Sequence, residues 1–383
     1  MNLIKNLSLL VVSSLVAFIV LELSLYLLIE SDYLEINKPS YSLTNASSMF
    51  WVDIDTTFGV WHASNSSYRH VKSCFDVIYE ANSYGARDVE RTLQAEGKRV
   101  IMLGDSFTEG YAVNREKRLT DLLEHATGIE HLNFGVGGDF GPIQYYLLYK
   151  TLAKKFEHHA VMVGILPGND FWDMNYKFGR EVHRDRYRPY LVGRYPDYRL
   201  IYSKEELKPQ RNKLGNLRGI LREFTHTYNS LVYLKKQLLM KERVEDSENG
   251  KNNSKFDTPS GYYDFTPKQF NLLKYVIERI IEEAEGKEIY IYTIPCQTDF
   301  ERYTIDKAPP LSKRLEEFCE GNGVEYLDLL PYMYEHTEDW GQYFHPCDPH
   351  WNEYGNLAAC EILRVNLPIY QRWLPSQSIG PEI

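Results

Sequence analysis

Ser106, Asp348 and His350 are the residues of this chain whose types and spacing best suit chemistry. A serine hydroxyl is a weak nucleophile until a base takes its proton, and imidazole is the usual base near neutral pH. Asp348 lies two residues before His350. In an extended segment such residues point the same way, so the carboxylate reaches the imidazole and sets its tautomer. An attacked carbonyl also needs hydrogen-bond donors for its oxyanion. The glycine-rich stretch Asn133-Phe-Gly-Val-Gly-Gly138 and the amide of Asn169 in Gly168-Asn-Asp170 offer them. Each piece alone has an ordinary explanation. Gly104-Asp-Ser106 is a common turn, Asn169 or Asp170 suits a helix cap, and His350 could be a satisfied loop histidine. Gly135-Val-Gly137 is half of a dinucleotide-binding fingerprint, but its third glycine, Gly141, comes one place late. Ser106 is also outside any G-x-S-x-G elbow.

The elements that must carry these residues alternate. Val100–Leu103 reads as a buried strand stopping at Gly104, and Leu119–Ala126 as a helix with Leu119, Leu122, Leu123 and Ala126 on one face. A strand follows at His131–Phe134, a helix at Ile143–Phe156 opened by Pro142, and a strand at Ala160–Leu166. After a long middle segment come a helix at Pro267–Glu285, a strand at Glu288–Ile294, a helix at Leu311–Glu320, a strand at Val324–Leu327 and a helix at Asn352–Val365. Such alternation implies an α/β fold with a parallel sheet covered on both faces. All four candidate loops then leave the same sheet edge, where ligands bind in open α/β sheets.

Leu7–Ile29 is almost continuously apolar. About 23 residues at 1.5 Å each give about 35 Å, enough to cross a bilayer. Lys5 precedes this run and Glu30, Asp32 and Glu35 follow it, which by charge asymmetry keeps the N-terminus cytoplasmic and exports the rest. The run is longer than a signal-peptide core and no A-x-A site follows, so it reads as an uncleaved anchor. The one charge inside it is Glu22, near the outer end. The chain thus divides into an anchor at 1–30, a connecting β-like segment at 31–98, an α/β domain of 99–170 and 267–370, and an insertion at 171–266. That insertion holds Arg184, Arg186, Arg188, Arg194, Arg199 and Arg211 among many tyrosines, with a hairpin around 188–192 and 198–202. It reads either as a basic, aromatic lid or as a solvated charged surface. Its polar run 243–261 reads as a mobile loop.

The quoted motifs resemble those of the SGNH (GDSL-type) hydrolases, over roughly Asn82–Asp170 and Tyr290–Val365. The resemblance implies a flavodoxin-like three-layer α/β/α sandwich. It implies Ser106 as nucleophile, Asp348 and His350 as acid and base, and the Ser106 N–H, the Gly138 N–H and the Asn169 amide as oxyanion hole. It requires no metal or other cofactor. The third motif carries Pro167 where the family usually has glycine. The last reads Asp348-x-His350 where Asp-x-x-His is common. That shorter spacing, with Asn82-Ser-Tyr-Gly-Ala-Arg87, is similar to a membrane-anchored, exported branch that esterifies or de-esterifies polysaccharides.

The expectation is therefore a serine esterase acting on a short acyl ester, acetyl above all, of a cell-envelope or extracellular glycan, through an acyl-serine. O-acyl transfer by the same residues, a lysophospholipase-type activity and a non-catalytic glycan-binding module are the alternatives. The net charge of −10 argues against nucleic acid as a partner. The five cysteines lack zinc-site spacing. Export permits disulfides, and Cys296 and Cys347, both expected at the same sheet edge, are a possible pair that would stiffen the acid–base loop.

Overall fold

The computed structural model describes residues 2–31, 33–34, 36–183, 186–208, 213–235, 238 and 260–374. Arg184, Arg211 and nearly all of the polar run 243–261 lie outside the described residues. The chain forms two compact units, one of Met1–Ser48, Tyr68–Ile78 and Arg211–Asn253, the other of Met49–Ser67, Tyr79–Gln210 and Ser254–Ile383.

The larger unit is built on five parallel strands: β1 (Arg99–Gly104), β2 (Glu130–Gly135), β3 (Ala160–Ile165), β4 (Glu288–Thr293) and β5 (Glu325–Asp328). Their order across the sheet is β2-β1-β3-β4-β5. The chain adds β2 on one side of β1 and then returns to add β3 on the other. This reversal opens a crevice at the carboxyl ends of β1 and β3, where doubly wound sheets bind ligands.

Both β1 and β3 are buried along their whole length, as strands covered on two faces must be. Period-2 alternation divides their side chains between two cores. Ile101 and Leu103 pack with Leu148, Val276, Ile280 and Leu315. Val100 and Met102 pack with Leu123, Leu330, Ala359 and Leu363. The helices Pro142–Thr151, Pro267–Glu283 and Pro310–Gly321 thus cover one face, and Leu119–Thr127, Leu329–His336 and Glu353–Asn366 the other. The three-layer architecture is the one the alternation predicts. The helix Pro267–Glu283 starts on a reciprocal cap between Thr266 and Gln269 with proline in its first turn. The expected hairpin forms from Pro189–Arg194 and Asp197–Tyr202, paired antiparallel.

In the smaller unit the N-terminal helix Asn2–Glu30 shares the space with a short helix Leu43–Ser47, the helix Lys213–Phe224 and a further helical stretch at 226–235. These last two were not apparent in the sequence; in the first, Arg218 and Arg222 interrupt the apolar periodicity. Glu223 joins the parts, accepting from Ser40 Oγ at 2.6 Å, Asn45 Nδ2 at 3.1 Å and Arg222 Nε at 2.6 Å. Gly219 lets two segments meet closely, since a Cβ there would sit 2.3 Å from the Ala46 carbonyl oxygen.

The end of β2 packs directly on the turn after β1. A Cβ at Gly135 would lie 2.3 Å from the Glu109 nitrogen and 2.6 Å from the Thr108 carbonyl carbon. Backbone cannot yield as a flexible side chain does. Gly135→Ala is expected to cost about 1–3 kcal/mol through overpacking, read as a lower urea midpoint; an unchanged midpoint would contradict this packing.

Candidate active site

The serine sits where β1 gives way to a single turn of helix, Ser106–Glu109. Asp105 caps that turn by accepting the Phe107 N–H at 2.9 Å. The Ser106 N–H, first in the helix, has no intrahelical acceptor. A Cβ at Gly104 would meet Thr108 Oγ1 at 2.0 Å, so glycine is required for the chain to turn this tightly.

The structure brings Ser106 together with His350, 244 residues away in the chain, and with Asp348 beside it. Asp348–Trp351 is a short strand paired with Phe344–His345. Trp351 is buried and holds it to the body, and Asn352 caps the helix that follows. Ser106 Oγ lies 2.7 Å from His350 Nε2. On the other side of the ring, Nδ1 lies 2.5 Å from Asp348 Oδ1, which also accepts the His350 backbone N–H at 3.2 Å. An ionised carboxylate only accepts, so Nδ1 carries the proton and Nε2 is left to accept from the serine. Tyr111 and Phe107 flank the imidazole, with centroids 4.3 and 5.0 Å away.

The glycine-rich turn after β2 reaches the same place. A Cβ at Gly137 would lie 3.7 Å from Ser106 Cβ. The Gly137 N–H is already engaged, donating to Glu109 Oε2 at 2.6 Å. The next residue, Gly138, is exposed with a left-handed φ of 85°. Asn169 is in the first turn of the helix Pro167–Asp173. Pro167 opens that helix, a position where proline's fixed φ and missing N–H fit. The Asn169 amide donates to Asp105 Oδ2 at 3.4 Å, next to the turn that carries the serine.

Glu109 is the main residue that sequence reasoning missed. Its side chain is fully buried. Besides Gly137, its carboxylate accepts from Trp51 Nε1 at 2.8 Å and lies 2.9 Å from His62 Nε2. His62 Nδ1 lies 2.8 Å from the Gly85 carbonyl oxygen. The ring thus bridges the Glu109 carboxylate and the Gly85 carbonyl. Burial raises the Glu109 pKa, but His62, Arg87 and Trp51 outweigh it and hold the group below its usual range. Arg87 secures the same turn from the backbone side, donating to the carbonyls of Glu109 at 3.0 Å and Val113 at 2.7 Å. The only hint in the sequence was position: Glu109 is three residues from Ser106, one helical turn away.

Beneath the crevice lies a row of buried acids. Burial raises Asp105 to about 7, against the cap at Phe107 and the nearby His350. Burial and the neighbouring Asp105 and Asp173 push Asp170 well up as well, and Tyr145 donates to it at 2.9 Å. Two arginines of the basic segment are engaged internally. Arg186 pairs with Asp53 at 2.8 Å, and Arg188 Nη2 lies 3.5 Å from Asp173 Oδ1.

A bridge between Cys296 and Cys347 does not form. Cys347 is disulfide-bonded, whereas Cys296 is a free thiol. Cys296 Sγ instead fills the space over Gly168, 2.8 Å from where a Cβ would be. Burial, with Asp299 and Asp105 nearby, pushes its thiol well up, so it stays protonated and unreactive there.

No family model and no curated protein matches the chain. Among solved structures it is similar to a member of the lipolytic G-D-S-L family from Veillonella parvula DSM 2008, at 12% identity and a TM-score of 0.38, over 71% of this chain and 99% of that one. It is also similar to a lipase/acylhydrolase from Enterococcus faecalis, at 12% identity and a TM-score of 0.36, over 73% and 100%. The acetyl xylan esterase AlAXEase matches at 12% identity and a TM-score of 0.36, over 70% and 99%.

Two outcomes follow from the buried carboxyls. Glu109→Gln turns an amide N–H2 towards groups that are themselves donors. It is expected to lower stability by about 1–3 kcal/mol, the cost of leaving a buried donor unpaired; a urea midpoint equal to wild type would show that the carboxylate is not needed. Asp105 has a folded pKa raised above its unfolded value. Its contribution is fully present below about pH 4 and is lost as pH rises through about 7. Asp105→Asn keeps the cap but cannot ionise. The variant should gain on wild type between pH 5 and pH 8, and parallel midpoints at the two pH values would refute the assignment.

Proposed function

We propose that this chain is a serine esterase of the SGNH type, exported and anchored by its N-terminal helix. The observation that carries the reading is the continuous hydrogen-bonded chain from Ser106 Oγ through His350 to Asp348, at 2.7 and 2.5 Å. In the proposed mechanism Ser106 Oγ attacks the ester carbonyl carbon while His350 Nε2 takes its proton. Asp348 holds the ring and stabilises the imidazolium. The tetrahedral oxyanion is met by the N–H groups of Ser106 and Gly138 and the amide of Asn169. His350 then passes its proton to the leaving alcohol, and the acyl-serine forms. Water, deprotonated by His350, attacks that acyl group and releases the acid and Ser106.

Electrostatics support this reading. Asp105 and Asp170 lie close to the place where negative charge develops, and burial favours their neutral forms. The Glu109 charge, which persists, is offset by His62 and Arg87. The substrate class we propose is a short acyl ester, acetyl above all, on a cell-envelope or extracellular glycan. The half-buried ring of Tyr111 beside His350 suits an alcohol portion of that kind. The helix Ile4–Glu30, whose mean hydropathy is 2.3 over its most apolar window and of which that window is 0% buried, supports the proposed anchoring. Lys5 before the apolar run supports placing the catalytic domain outside the cytoplasm. The domain reading accompanies it, with 99–170 and 267–370 as the catalytic core and 171–266 as an insertion.

The test is turnover of an aryl acetate by the full chain in detergent. Ser106→Ala and His350→Ala should each lower kcat by at least about 10³-fold, and a fluorophosphonate probe should label wild type but not Ser106→Ala. Equal turnover by wild type and Ser106→Ala would sink the proposal.

A further inference from the structure

The apolar helix carries one internal charge, and the structure gives it a partner that fixes the height of a second helix. Glu22 accepts the backbone N–H groups of His226 and Thr227, each at 2.8 Å. These open the helical stretch 226–235. The imidazole of His226 also packs on Tyr26, centroids 5.7 Å apart. The start of that stretch is therefore pinned to the level of Glu22.

That level is set by the bilayer. Lys5 and Glu22 are separated by about 26 Å of helix at 1.5 Å per residue. Hydrocarbon is about 30 Å thick, so the two charges fall close to its opposite boundaries. Past Glu22, Tyr33 and Tyr41 are exposed, which is the usual place of aromatic side chains at a membrane surface.

The pinned stretch is apolar on its outside. Leu231, Leu234 and Leu238 follow each other at i, i+3 and i+7, and they are 60%, 53% and 56% exposed. Leu217 and Ile220 expose a matching pair on the preceding helix Lys213–Phe224. Arg218 and Lys235, both exposed, are among them, as long cationic side chains are where apolar stems meet lipid headgroups.

We infer that residues 213–235, with Leu238, form a membrane-surface element whose apolar stripe enters the outer headgroup–acyl boundary beside the span. The element then fixes the height and rotation of the smaller unit on the bilayer, and Glu22 is its latch. This inference rests on the reading of the N-terminal helix as a membrane span.

The test uses the full chain in phosphatidylcholine–phosphatidylglycerol vesicles, with spin labels on Leu231→Cys, Leu234→Cys, Tyr233→Cys and Leu15→Cys. Unsubstituted protein carried through the labelling corrects for native thiols, and aryl acetate turnover checks that each variant is folded. Collision with oxygen reports lipid, and collision with a water-soluble nickel chelate reports solvent. The expected result is a Leu15 label deep in hydrocarbon and Leu231 and Leu234 labels at shallow depth. Both should have an oxygen-to-nickel ratio several-fold above that of Tyr233 on the opposite face. A deep Leu15 label with Leu231 and Leu234 open to nickel, or shielded from both agents as in a contact with a second copy, overturns the inference and leaves the span intact. A Leu15 label in water overturns both.

Discussion

Glu109 is a carboxylate without solvent, and three donors from distant parts of the chain converge on it: Trp51, His62 and the Gly137 N–H. An ion in this position would cost several kcal/mol if left bare. The fold meets that cost by directing hydrogen bonds at both oxygens. The consequence is geometric. The turn that carries Ser106 and the glycine turn after β2 are held to one another through a single side chain. Arg87 then fastens the same turn through its carbonyls. The two walls of the crevice share one buried charge.

The other buried acids act in the opposite sense. Asp105, Asp170 and Asp173 crowd together under the crevice, and burial and mutual repulsion favour the protonated state of the first two. Tyr145 and the Leu166 N–H satisfy Asp170 without charge. One acid near the serine is thus held below its usual range by hydrogen-bond donors and Arg87, and two others are raised by burial. The difference comes from neighbours and not from residue type.

Much of the architecture was legible in order of appearance. The buried runs Val100–Leu103 and Ala160–Ile165 stand out because both faces are covered, so their residues are without polar side chains. The strand–helix alternation then implied the parallel sheet. The extended Asp348–His350 pair could be read because a strand's period of two is local. The helices Lys213–Phe224, Gln297–Ile305 and Leu329–His336 were not legible. In the first two, charges that break the apolar face find partners elsewhere in the fold, Glu223 with Ser40 and Asn45 and Arg302 with Asp264. The expected Cys296–Cys347 bridge failed for a related reason. Neighbourhood on one sheet edge does not specify where a thiol points, and Cys296 points at Gly168.

By itself the sequence determined what depends on short range: which segments are strands, that an acid precedes a histidine by two, and that one helix is apolar enough to span a bilayer. Only the tertiary structure decided which distant groups meet. His350 reaches Ser106 across 244 residues, and His62 and Trp51 reach Glu109 across 47 and 58. Glu22 meets the N–H groups of His226 and Thr227 across 204 and 205. The physical reason is common to these cases. A buried polar group must find a partner or pay for desolvation, and the partner's place in the chain is set by how helices pack on the sheet and on each other. No local pattern encodes that.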